Sequence, residues 1–170
     1  MWSIVGGSGF EKFEGFEVIR ELDRSTPFGV CSSGLKLVRV SNTEAIFLPR
    51  HGSNHELLPS EVNYRANIYA IKRHGATKLI SMSAVGSLKK DYKPGDLVIP
   101  FQFIDRTKSI RKHTFCGEGL VGHVSLAKPV SAPLSDIVLK LRETLGFNIH
   151  FNGTAVCIEG PCFSTQAESK

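Results

Sequence analysis

Four short segments carry side chains suited to holding an anion and a planar ring. Ser8 sits in Gly6-Gly7-Ser8-Gly9, Arg50 and His51 stand together before Gly52, Ser83 and Ala84 open a small-residue turn to Ser87, and Phe163-Ser164 follows Glu159-Gly160-Pro161-Cys162. Amides in glycine-rich turns and serine hydroxyls are donors that fit an oxyanion. A guanidinium adds forked, charged donors, and a histidine beside it adds another. Plainer readings stand beside these: a tight turn, a solvated Arg-His pair, and an aromatic that fills the core rather than stacking on a base. For the glycine turn, a dinucleotide fingerprint requires a third glycine where Lys12 stands, so it fails. A trypsin-like reading of Ile4-Val5-Gly6-Gly7 fails too, because the motif is internal and no Gly-Asp-Ser-Gly-Gly follows. A phosphate-binding turn and a purely structural turn remain.

The elements that must position these residues are mostly short apolar runs. Ser3-Ile4-Val5, Ala45 to Leu48, Leu79 to Met82 and Thr154 to Ile158 each read as a strand that empties into a polar turn at its carboxyl end. Ligands collect at such ends in open α/β sheets. Leu35 to Val40 turns through Ser41-Asn42-Thr43 into the strand before Arg50, which predicts an antiparallel meander. Pro59-Ser60 reads as a helix start, with Ser60 as N-cap and Gly75 as the stop. That helix leads into Leu79 to Met82, a strand expected to be buried, and the strand-helix-strand order favours an α/β fold. Pro94-Gly95-Asp96 turns into the buried run Leu97 to Ile99. Leu134 to Gly146 shows the clearest helical period, with Leu134, Ile137, Val138, Leu141 and Leu145 on one face, and predicts a core helix. Between them, a long stretch to Gly122 suits a functional loop, a mobile loop or a subunit contact. His123 follows it, a lone histidine more often structural than catalytic.

Length and composition bound the rest. A chain of 170 residues suits a single domain with its own core. The net charge of +5 is spread out, with small clusters at Lys72 to His74, Lys89-Lys90 and Arg106 to His113, so nucleic acid is a weak candidate partner. Four cysteines without CxxC spacing argue against zinc and a disulfide framework, and predict reduced thiols in the cytoplasm. No apolar run approaches a membrane span, and the amino terminus does not read as a signal peptide.

Taken together, IVGGSGF, FLPRHGSNHELLPSEVNYRANIYAIKRHGA, SAVGSLKKDYKPGDLVIPFQFIDRT, GHVSLAKP and IEGPCFSTQAES resemble the purine nucleoside phosphorylases, in their methylthioadenosine phosphorylase branch. The resemblance runs from about Ser3 to the last residue. It implies a three-layer α/β fold around a mixed, partly barrel-like sheet, and a homotrimer with sites near subunit interfaces. The implied reaction is phosphorolysis of a purine nucleoside to free purine and a ribose 1-phosphate, with inorganic phosphate as co-substrate and neither cofactor nor metal. By motif match, Ser8, Arg50, His51, Ser83 and the Ala84 amide hold phosphate. His123 reaches the 5′ substituent in a neighbouring subunit, and Phe163 with Ser164 lines the base pocket. Nucleic acid and membrane are not implied as partners.

Two departures accompany the resemblance. Cys162 stands where relatives commonly carry arginine. Chains of this family also continue past the position of Lys170, with further helices, a Met-Thr pair at ribose and phosphate, and the residues that bind and protonate the purine. The expectation is therefore a single phosphorylase-like domain over residues 1–170, incomplete at its C-terminus and lacking the last helices, with Ser164 to Lys170 as a helix beginning. It should bind phosphate better than nucleoside, turn over poorly and leave apolar sheet surface uncovered. No catalytic residue is assigned within it, since the base-protonating residue is expected beyond Lys170. The alternatives are a 6-oxopurine phosphorylase acting on inosine or guanosine, and a non-catalytic phosphate-binding remnant.

Overall fold

A computed structural model describes residues 1–11, 14–107 and 110–170. Lys12, where the glycine fingerprint breaks, and Lys108 in the basic cluster lie outside the described residues. The remainder divides into two compact units: one holds Met1–Val85 and a short later stretch ending at Phe115, and the other begins at Gly86 and holds Cys116–Lys170.

The first unit is built on a five-stranded mixed sheet. Its strands are β1 (Trp2–Gly6), β2 (Glu17–Leu22), β5 (Leu35–Val40), β6 (Thr43–Pro49) and β7 (Lys78–Ser81), in the order β2-β5-β6-β1-β7. Two short strands, β3 (Ser25–Thr26) and β4 (Gly29–Val30), pair separately. As the Ser41-Asn42-Thr43 turn predicts, β5 and β6 are antiparallel, whereas β1 runs parallel to both β6 and β7. Alternation along the strands serves two faces. On one, Val5, Leu35, Leu37, Ile46 and Leu48 pack with Ala70 and Ile71 of α1 (Tyr64–Arg73); on the other, Val38, Ala45 and Phe47 meet Trp2, Ile4 and Phe16. Each fully buried aliphatic side chain contributes about 1.5–3 kcal/mol.

Helix α1 starts later than Pro59-Ser60 suggests. Those two residues lie in a turn closed by Glu61 N–H to Leu58 O (2.9 Å) and by Leu58 N–H to the Glu61 carboxylate (2.8 Å). Asn63 is the N-cap: its Oδ1 accepts from Ala66 N–H (3.2 Å), while its Nδ2 donates to Phe28 O (2.9 Å). The cap therefore also anchors the loop between β3 and β4. At the other end Gly75 takes φ +90°, as a helix stop requires. Buried Asn67 is satisfied by Ser32, through its backbone N–H (2.9 Å) and hydroxyl (2.8 Å). Strand β7 is an edge strand, and Leu79 and Ile80 are exposed rather than buried.

In the second unit, β8 (Leu97–Asp105) and β9 (Ile149–Cys157) form a parallel pair. Their register slips on either side of Pro100, which has no N–H to give to the ladder. The predicted helix over Leu134 to Gly146 divides into α2 (Ala132–Lys140) and α3 (Arg142–Leu145). The break at Leu141 is a tightening into three-residue turns, with Leu141 N–H on Val138 O and Thr144 N–H on Leu141 O. Its apolar stripe is not core: Ile137 is 50%, Leu141 45% and Leu145 43% exposed. The strands are likewise more open than their composition predicts, with Phe101, Ile104 and Val156 exposed. Thr165 and Glu168 form a capping box, Thr165 N–H to Glu168 Oε2 (2.8 Å) and Glu168 N–H to Thr165 Oγ1 (3.2 Å), over one helical turn. Among the described residues no helix is long and apolar enough to cross a membrane.

The two competing caps separate experimentally. Asn63→Ala should cost roughly 1–2 kcal/mol of unfolding free energy in a urea titration, and Ser60→Ala less than about 0.5 kcal/mol. Equal losses would return the helix start to Ser60.

Candidate functional site

Parallel pairing of β6, β1 and β7 sends three chain segments out over one sheet edge. Gly6 is level with Pro49 and Val5 with Ser81, and the pairing continues one step further through Arg50 N–H to Gly6 O (3.0 Å) and Met82 N–H to Val5 O (2.9 Å). Ser8, Arg50-His51 and Ser83-Ala84 thus leave neighbouring strand ends. All five predicted anion-holding residues belong to the first unit, and the sheet gathers them.

Arg50 ties the segments together. Its Nη1 donates to Met82 O (2.9 Å) and its Nη2 to Ser83 Oγ (3.2 Å). The guanidinium lies directly on Gly7, where a Cβ would run into Nη1, Nη2 and Cζ. Gly7 is not among the glycines with positive φ, so any side chain there would be opposed by crowding against Arg50 and not by a left-handed backbone. The turn closes through Phe10 N–H to Gly7 O (3.0 Å), leaving Ser8 exposed at its tip.

His51 is buried, 6% exposed. Its Nδ1 lies 3.0 Å from Leu57 O, and because a carbonyl only accepts, Nδ1 carries the proton. Burial pushes the imidazole pKa down, and the charges of Arg50 and His55 push the same way against the Leu57 bond. A neutral ring bonded in this way has Nε2 as an acceptor. His51 therefore differs from the sequence expectation of one more donor: it suits a protonated phosphate oxygen, while Arg50 and the serines suit the unprotonated ones. Beyond it, His55 stacks on His51 with ring centroids 4.9 Å apart and bonds the Glu11 carboxylate. Glu11 carries no sequence signal, since its partner lies 44 residues away.

The other three predicted residues belong to the second unit. His123 is exposed in an irregular segment, Phe163 is 94% exposed, and Ser164 Oγ lies 2.8 Å from Ser169 Oγ. Cys31, Cys157 and Cys162 are free thiols. Among the described residues no group of three or more His, Cys, Asp or Glu side chains is placed to hold a metal ion. Chemically, the first-unit cluster supplies a guanidinium, two hydroxyls, backbone amides and a neutral imidazole around one sheet edge, a set that can hold a tetrahedral oxyanion.

The family model described as the phosphorylase superfamily matches residues 3–170. An S-methyl-5′-thioadenosine phosphorylase from Geobacter sulfurreducens is 48% identical over 98% of this chain and 58% of its own length. One from Hyperthermus butylicus is 46% identical, over 99% of this chain and 61% of its own. The chain thus spans about three-fifths of these relatives. Among solved structures, a methylthioadenosine phosphorylase from an Antarctic soil metagenomic library superposes with a TM-score of 0.91 at 44% identity, covering 99% of this chain and 59% of that one. The Schistosoma mansoni methylthioadenosine phosphorylase in complex with tubercidin gives 0.91 at 36% identity, covering 99% and 67%. The α/β phosphorylase fold expected from the sequence is shared with these structures over nearly the whole of this chain.

Depression of the His51 pKa has a thermodynamic consequence. In the unfolded chain the ring titrates near about 6.5, so as pH falls the unfolded state takes up its proton first. Stability from this residue is therefore complete above the ordinary histidine range and is lost as pH drops through it. The urea midpoint should fall between about pH 7.5 and 5.5, and less steeply in His51→Asn, whose amide N–H can still reach Leu57 O. Identical slopes in the two proteins would show that His51 is not held neutral.

Proposed function

Because this chain belongs to the phosphorylase superfamily, we propose that it carries the phosphate-holding part of a purine nucleoside phosphorylase acting on 5′-methylthioadenosine. The observation that carries this reading is the Arg50 guanidinium, seated on Gly7 and fixed by Met82 and Ser83 where three parallel strands end. The relatives' names supply the nucleoside.

In this reading Arg50, Ser8, Ser83 and the Ala84 amide donate to inorganic phosphate, and the His51 Nε2 accepts from a P–OH. An unprotonated phosphate oxygen attacks the anomeric carbon as the bond to the purine nitrogen breaks. The bonding pair leaves with the purine, which then takes a proton, and the products are adenine and 5-methylthioribose 1-phosphate. The sugar passes through a cationic, oxocarbenium-like state, which the phosphate charge stabilises at close range. The fixed donors hold the nucleophile in place and so lower the entropic part of the barrier. Phosphate is a co-substrate here, and the step needs neither metal nor organic cofactor. Phe163 offers an uncovered ring face for the purine, with Ser164 beside it, and His123 serves the 5′ substituent across a homotrimer interface in the cytoplasm.

Two measurements test this. Arg50→Ala should weaken inorganic phosphate binding by about 2 kcal/mol, roughly 30-fold, through loss of charge-assisted bonds; unchanged affinity would remove Arg50 from the site. Adenine release from methylthioadenosine should require phosphate and exceed purine release from inosine. A preference for inosine would move the chain to the 6-oxopurine branch, and release without phosphate would reject phosphorolysis.

A further inference from the structure

Glu11 and His55 lie on the two loops that flank the candidate phosphate site, outside the strands and the helix of the first unit. Glu11 follows the Gly7-Ser8-Gly9 turn, and His55 follows Arg50-His51. Glu11 Oε1 is 2.5 Å from His55 Nδ1, and Glu11 Oε2 accepts from Gly9 N–H at 2.9 Å. One carboxylate thus holds the glycine turn from within and the opposite loop from outside. With Gly9, Ser53 and Asn54, the pair lines an open cleft.

His55 is held in place at a backbone cost. Its φ is +56°, the left-handed region that side chains rarely occupy. Its ring repays this by stacking on His51 while bonding Glu11. The charged and titratable groups around it are Glu11, His51, Arg50 behind His51, and Glu56, which is turned back onto Asn54 N–H at 2.8 Å. The Glu11 carboxyl sits below the usual carboxylate range, chiefly because of the His55 bond. An ionised carboxylate only accepts, so the Nδ1–H of His55 is the donor.

We propose that Glu11 and His55 form a clasp between the glycine turn and the Arg50-His51 loop, and so act as positioning residues for phosphate binding. This rests on the phosphate-site reading. Opening the clasp frees the turn that carries Ser8 and removes the ring that packs on His51, so the donors must be reordered when phosphate enters. The cost falls on affinity for phosphate rather than on the stability of the sheet.

Titration of inorganic phosphate into the full chain, by calorimetry, tests this in four variants. Glu11→Ala and His55→Ala should each weaken binding about 3- to 10-fold, and the double variant less than the two losses combined, because each single change already opens the clasp. Glu11→Gln keeps one oxygen acceptor, which can serve the Nδ1–H but not Gly9 N–H as well, and should recover part of the loss, an effect that general loop damage would not give. All four should keep the parent's urea midpoint. Additive losses, unchanged affinity, or a glutamine variant as weak as the alanine one would overturn the clasp. Arg50→Ala, run alongside, separates the two readings: if it weakens binding while Glu11→Ala does nothing, the clasp alone is wrong. If the parent chain does not bind phosphate, or binds it equally without Arg50, the site itself is wrong and the clasp with it.

Discussion

The candidate site depends on one constraint, the parallel pairing of β1 with both β6 and β7. Parallel neighbours present the same end of each strand to the same side, so whatever follows them in sequence is collected over one edge. Ser8, Arg50 and Ser83 are far apart along the chain, yet they need no further device to meet. The antiparallel β5-β6 hairpin supplies the opposite need. It delivers β6 into the middle of the sheet with both faces covered, so the strand that presents Arg50 is among the most deeply buried in the unit.

Within that frame Arg50 acts on the protein before it acts on any ligand. Its bonds to Met82 O and Ser83 Oγ hold the segment after β7 against the segment after β6, and its flat face covers Gly7. A charged group committed in this way is preorganised, because little side-chain freedom remains to be lost when an anion arrives. His51 is arranged on the same principle with the opposite charge state: burial and the Arg50 charge favour its neutral form, and Leu57 O fixes which nitrogen carries the proton.

The legible part of the sequence was what repeats at short range. Alternation and turn chemistry located β1, β5, β6 and the polar turns, and so all five residues at the sheet edge. What failed was what depends on partners distant in sequence. Asn63 outcompeted Ser60 as a cap because its side chain also reaches Phe28 O, 35 residues away. The apolar stripe of Ile137, Leu141 and Leu145 is a sound helix pattern, but a period says only which face could be buried and not whether anything covers it. Glu11 was invisible for the same reason, since an isolated acid after a turn looks like solvated surface. For His123 the resemblance alone suggested a role, whereas Phe163-Ser164 stood out by residue type as a polar turn with a ring that could stack on a base.

The contact between Gly7 and Arg50 joins two positions into one heritable trait. Gly7 lacks the positive φ that calls for glycine, so the arginine opposite is what crowds a larger residue there. A lineage that lost the arginine would be released from the glycine, whereas one that changed the glycine first would damage both at once. Drift should therefore have a direction in this chain, with position 50 changing before position 7, and a sequence with a side chain at 7 should already have given up the guanidinium.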